Sequence, residues 1–167
     1  PSDPVTIPVS SSDTTAALVS VTSLTFTAAT WNVAQVVTVT GVNNDVDEAN
    51  RTATILTAAA TSVDPGYNGR DPSNVSVTVT DDDVAGLTVV QSGGSTSVNE
   101  AGATSDTITV RLRSQPTADV IVNVTSSDLT EGTVSPASLT FTAANWSTPQ
   151  TVTLTAVDDS IDDGDVD

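Results

Sequence analysis

The chain repeats part of its own sequence, and this repeat limits the possible folds more than any other feature. Residues 1–52 align without a gap on residues 116–167, and roughly 23 of the 52 pairs are identical. The match is strongest between SLTFTAATW (residues 23–31) and SLTFTAANW (residues 138–146). A repeat of this length indicates tandem copies of one module with a period of about 115 residues.

Alternating apolar and polar residues predict β-strands along the whole chain. The clearest examples are QVVTVTGV, TITVRLR, VIVNVT and QTVTLTAV, at residues 35–42, 107–113, 120–125 and 150–157. A period of two is typical of a strand with one buried and one solvated face, and the abundance of Thr and Val favours strands as well. Because no segment has convincing helical periodicity, we predict an all-β fold.

The module boundary is placed at residues 83/84, where three aspartates follow the strand VSVTVT. Residues 1–83 are then strands C to G of one module, and residues 84–167 are strands A to E of the next. The assembled strands are A (86–91, resuming near residue 97), B (104–113), C (119–125), D (138–142), E (150–157), F (52–58) and G (74–80). Seven short alternating strands separated by Gly, Pro, Asn and Asp predict tandem antiparallel β-sandwich modules of immunoglobulin-like architecture.

Both halves then lack strands of a complete module. We expect either that the chain is a window on a longer array, or that neighbouring copies complete one another's sandwiches in a filament, because open strand edges recruit further strands.

The composition excludes several classes of function. Cys, His and Met are absent, which removes thiolate nucleophiles, Ser-His-Asp triads, ordinary zinc sites and disulfides. Twenty-one acids against four arginines give a net charge of −17, which repels nucleic acid. No apolar run approaches the length of a membrane span, so we expect no direct membrane insertion. We also expect that the protein is not an enzyme.

Carboxylates concentrate at one end of the predicted sandwich. In an up-and-down arrangement, loops AB, CD and EF and the segment after G share one end, and about 16 of the 21 acids fall there. Crowded carboxylates repel one another unless a cation neutralises them. Oxygen donors without nitrogen or sulfur favour Ca²⁺, and less strongly Mg²⁺. For any single acid, a solvated surface charge is the alternative interpretation.

Several motifs taken together resemble the Calx-beta module, which was named from sodium/calcium exchangers and is widespread in large repetitive bacterial surface proteins. They are VNEAG (residues 98–102), the SLTFT strand, QTVTLTAVDD leading into DDGD, and the closing VTVTDDD. The resemblance implies a sandwich that binds Ca²⁺ between loops AB, CD and EF and the terminal acids. The ligands it implies in the second module are Glu100, Asp128, Asp158, Asp159, Asp162 and Asp163, and those in the first module are Asp13, Asp45, Asp47, Glu48, Asp81, Asp82 and Asp83. Asn43 and Asn44 replace the equivalents of Asp158 and Asp159, which predicts a weaker first site.

Two hypotheses for the function follow. The first is a calcium-binding structural repeat of an extracellular or cell-surface bacterial adhesin stalk or filament, in which Ca²⁺ stiffens the junctions between modules. Its partners are neighbouring repeats of the same chain or neighbouring copies. The alternative is a module that binds a glycan or a protein through loops FG and DE, and glycan binding that survives removal of calcium would favour it.

Overall fold

The computed structural model describes residues 1–160, which form β-strands with little other regular structure. In chain order the strands are β1 (Val5–Ser11), β2 (Ala17–Val19), β3 (Ser23–Phe26), β4 (Val39–Gly41), β5 (Arg51–Thr57), β6 (Thr61–Ser62), β7 (Val75–Val79), β8 (Leu87–Gln91), β9 (Ser105–Leu112), β10 (Val120–Asn123), β11 (Gly132–Ser135), β12 (Ser138–Phe141) and β13 (Gln150–Ala156). A short 3₁₀ turn, Ser92–Gly94, follows β8. The strand pairs of this part are antiparallel, so the predicted all-β class with antiparallel sheets is confirmed. Residues 1–160 include no helix long and apolar enough to cross a membrane.

The chain divides into two compact units by its internal contacts. The first unit comprises Pro1–Asn44 and Glu48–Asp82, and the second comprises Asp45–Asp47 and the chain from Asp83 onward. The sequence repeat relates strands of the first unit to strands of the second: β1 corresponds to β10, β2 to β11, β3 to β12 and β4 to β13. Among residues 1–160, β5 and β7 have no equivalent in the second unit, and β8 and β9 have none in the first.

Two sheets make up the first unit. One contains β3, β1, β5 and β7 in that order, with β6 also paired to β1, and the other contains only β2 and β4. The register pairs Val9 with Thr57 between β1 and β5. The apolar cluster between the two sheets consists of small side chains. Its buried members are Ala16, Ala17 and Ala53, and the half-buried Val39 and Val79 pack against them.

The second unit, as far as residue 160, also has two sheets. Strands β11, β13, β9 and β8 form one of them in that order, and β10 pairs with β12 in the other. The central pair, β13 and β9, places Val152 opposite Ile108. Inward-facing residues of β9, β12 and β13 form an apolar core larger than that of the first unit, and its buried members are Val110, Leu112, Leu139, Phe141 and Val152.

The structure adds strands that the sequence pattern does not predict. Strands β2 and β11 lie between the predicted strands C and D and pair with β4 and β13. With three and four residues, they are too short for alternation to be recognised in the sequence. Strand β6 is shorter still and is also not predicted. The predicted resumption of strand A near residue 97 is wrong, because no strand forms there and the Ser97 N–H donates to the Asp106 side chain at 2.9 Å.

The predicted strand over residues 35–42 is wrong in its length, because only Val39–Gly41 forms a strand. The equivalent strand β13 extends over Gln150–Ala156. The physical reason is the number of neighbours: β13 lies between β11 and β9, whereas β4 pairs with β2 alone in the part of the chain described.

Candidate metal-binding ends of the two units

A tight turn before β9 carries Glu100 in the second unit. The side chain of Asn99 accepts the Ala101 N–H at 2.8 Å, and the Thr104 N–H donates to the Asn99 carbonyl at 2.9 Å. Gly102 has φ +86°, a backbone conformation that L-residues rarely adopt. The turn therefore fixes the backbone from which the Glu100 carboxylate projects.

Glu100 meets the segment that follows β13. Its Oε1 accepts the Asp159 N–H at 2.9 Å, and the carbonyl of Glu131 accepts the Val157 N–H at 2.9 Å. Asp158 and Asp159 are exposed beside these contacts. The structure thus brings the predicted ligands Glu100 and Asp159 together, while Asp162 and Asp163 lie outside the described residues.

Asp128 and Asp13 occupy equivalent turns, where each carboxylate holds the backbone. Asp128 Oδ1 accepts the Thr130 N–H at 2.9 Å and the Thr130 hydroxyl at 2.5 Å. In the first unit, Asp13 Oδ1 accepts the Thr15 N–H at 2.8 Å and its hydroxyl at 2.6 Å. These hydrogen bonds, that of the threonine hydroxyl first, hold the pKa of both aspartates below the ordinary value. One oxygen of each predicted ligand is therefore already committed to its turn.

An arginine stands at the acidic end of the first unit. Arg51 Nε lies 2.8 Å from Glu48 Oε1, and its two terminal nitrogens donate to the carbonyls of Thr15 at 2.8 Å and Val42 at 2.7 Å. The Asn44 side chain also donates to Glu48 Oε1, at 2.8 Å. The guanidinium therefore places a permanent positive charge among the predicted ligands of this unit.

Asp81 joins the same end to the last strand of the unit. Its Oδ2 accepts the Glu48 N–H at 3.1 Å, and its own N–H donates to Asn50 Oδ1 at 3.0 Å. A cavity of about 260 Å³ opens here, and its wall includes Asn43, Arg51 and the exposed Asp82. The cavity offers amide and carboxylate oxygens beside a cation.

Three of the ligands predicted for the first module belong to the second unit instead. They are Asp45, Asp47 and Asp83. The Asp45 carbonyl accepts the Gln115 N–H at 2.5 Å, and Asp47 Oδ2 accepts the Ala85 N–H at 2.9 Å. Asp83 is half-buried. The predicted first-module ligands are thus divided between the two units.

Within residues 1–160, no group of three or more acidic side chains is arranged to hold a metal ion. The donors that do meet are carboxylate, amide and carbonyl oxygens, which suit a hard cation such as Ca²⁺. The sequence analysis does not assign Arg51 to this end, although its position three residues after Glu48 is a usable signal.

Comparisons with protein-family models, with curated proteins and with solved structures found no match to this chain.

Proposed function

We propose that the protein is a calcium-binding structural repeat of an extracellular bacterial stalk or filament, in which calcium stiffens the junctions between modules. The proposal combines the internal repeat, the Calx-beta resemblance and the position of the carboxylates. An extracellular or cell-surface location belongs to the same proposal, since weak calcium sites fill only where calcium reaches about 10⁻⁴ to 10⁻³ M.

The contact between Glu100 and the Asp159 backbone carries the proposal. It joins the turn before β9 to the acidic segment after β13, two stretches that are far apart in sequence. Asp158 and Asp159 are exposed there, and the chain continues with Asp162 and Asp163. With 21 acids and four arginines, the protein itself has too few cations to balance such a group of carboxylates.

The two units are proposed to differ in their need for calcium. In the first unit, Arg51 already places a positive charge against Glu48, and Asn43 and Asn44 reduce the negative charge. In the second unit, the equivalents of these asparagines are Asp158 and Asp159. Calcium should therefore stabilise the second unit more than the first.

Calcium titration with a charge-matched control tests this proposal. At 10 mM Ca²⁺, a site with a Kd of about 10⁻⁴ to 10⁻³ M adds about 1.4–2.7 kcal/mol to the free energy of unfolding. This should raise the melting temperature of the second unit by at least about 5 °C over that in EDTA at equal ionic strength.

The variant Glu100→Gln keeps an oxygen for the Asp159 N–H and removes the charge, so it should abolish most of this calcium-dependent shift. Asp119→Asn removes the same charge from an exposed position before β10 and should leave the shift intact. Equal melting curves with calcium and with EDTA would contradict calcium binding.

A further inference from the structure

Strand β4 has one paired edge and one open edge. The Ser20 N–H donates to the Thr38 carbonyl at 2.9 Å, and the Val42 N–H donates to the Ala16 carbonyl at 2.8 Å. Both bonds belong to the edge that faces β2. Because backbone groups of a strand alternate between its two sides, Val39 and Gly41 direct theirs to the opposite edge.

The second unit shows what the equivalent edge of β13 binds. Ala156, the equivalent of Gly41, donates its N–H to the Thr104 carbonyl at 3.0 Å, on the side of β9. Along β13, Val152 lies opposite Ile108 in β9. The repeat therefore supplies a paired example of the same strand within one chain.

Side-chain burial follows the same difference. Phe141 is fully buried, but its equivalent Phe26 is only half-buried. Val152 is fully buried, whereas Val37 is half-buried. An apolar face is thus partly open in the first unit at positions that the second unit closes.

The tryptophans differ for a related reason. Trp146 is half-buried against the core, and its carbonyl accepts the Leu112 N–H at 2.9 Å from the end of β9. Trp31, its equivalent, leaves 61% of its surface exposed. The end of β9 that the Trp146 backbone binds has no counterpart in the first unit.

We propose that the open edge of β4 binds a second copy of the β8–β9 segment, supplied by another repeat. Within this chain β9 is already paired on both sides, with β8 and β13, so the donor is a further copy. The register of β13 and β9 assigns the contacts: Val37 opposite the donor's Ile108 position, and Val39 opposite its Asp106 position. This inference deepens the proposed role as a structural repeat but is independent of calcium.

An extended chain tests the proposal. A second copy of residues 84–115 is placed directly before Pro1, so that Gln115 precedes Pro1 as it precedes Pro116 in the natural sequence. Hydrogen exchange followed by NMR in EDTA should show at least about tenfold slower exchange for the amides of Val37, Val39 and Gly41. The amides of β13 should keep their rates and thereby report that the second unit is intact.

Two further samples make the result decisive. In the first sample, the added segment carries Ile108→Pro and so loses a backbone N–H that would face β4. It should protect the amides of Val37, Val39 and Gly41 much less. The synthetic peptide 84–115, added to the natural chain, should protect the same three amides in a saturable manner. Unchanged exchange of these amides with both the extension and the peptide would overturn the proposal, whatever the outcome of the calcium titration.

Discussion

The repeat provides a matched pair of core substitutions, Phe141→Ala and Phe26→Ala. Phe141 is fully buried among Leu139, Val110 and Val152, so its truncation leaves an enclosed cavity. Loss of a buried Phe side chain together with such a cavity costs about 3–5 kcal/mol. Phe26 is half-buried, and water can fill the space that its removal leaves. Only part of the transfer free energy is then lost, about half of the ~1.5–3 kcal/mol that full burial of a Phe side chain contributes.

Hydrogen exchange in increasing urea, read by mass spectrometry, measures the two substitutions separately because peptides from β3 and β12 report on different units. We expect the opening free energy of the second unit to fall by at least about 1 kcal/mol more in Phe141→Ala than that of the first unit falls in Phe26→Ala. Equal losses would refute the argument that the first unit has the more open core. They would also show that equivalent residues pack alike despite the missing strands.

Two further predictions concern polar contacts. Hydrogen bonds hold the pKa of Asp13, Asp64, Asp106 and Asp128 below the ordinary carboxyl value, donated chiefly by Thr15, Ser2, Ser92 and Thr130 respectively. This stabilisation is complete above the unfolded-state pKa of about 4 and is lost as pH falls through the lower folded-state pKa values. The urea midpoint should therefore drop on acidification, and it should drop less steeply in Asp128→Asn. An equally steep drop in that variant would assign the acid sensitivity to other groups. Arg51→Lys should destabilise the first unit by about 1–2 kcal/mol in urea unfolding, because an ammonium cannot reproduce the fork that binds Glu48 and two carbonyls. Wild-type stability of Arg51→Lys would mean that charge alone suffices there.

The sequence pattern predicts long strands well, because alternation needs several residues to be visible. Strand β5 lies where the alternation of residues 52–58 places it, and β9 and β13 also follow their predicted positions. Strands β2 and β11 escape prediction because they are short. The length of β4 is not encoded in its own residues at all, since nearly the same sequence forms a longer strand when β9 lies beside it.

The candidate site was predictable only in part. The order of strands correctly brings Glu100 to the segment after β13. The role of Asp128 in its turn can be recognised from a short motif. Both copies of the repeat contain Ser-Ser-Asp-x-Thr, and in each the threonine hydroxyl donates to the aspartate carboxylate. Asp45 and Asp47 belong to the second unit because they accept hydrogen bonds from the backbone N–H groups of Gln115 and Ala85. No local sequence pattern predicts these contacts.

The alternation of strands between sheets in the second unit has a consequence for the rate of folding. Consecutive strands β10, β11, β12 and β13 lie in alternate sheets, so none of them pairs with its immediate neighbour in the chain. The central pair joins Val110 to Gln150, across the whole intervening sequence. Folds dominated by such distant pairings form in milliseconds to seconds, more slowly than folds with mostly local contacts. During synthesis on the ribosome, β8 and β9 therefore wait for β13 to emerge before their sheet can be completed.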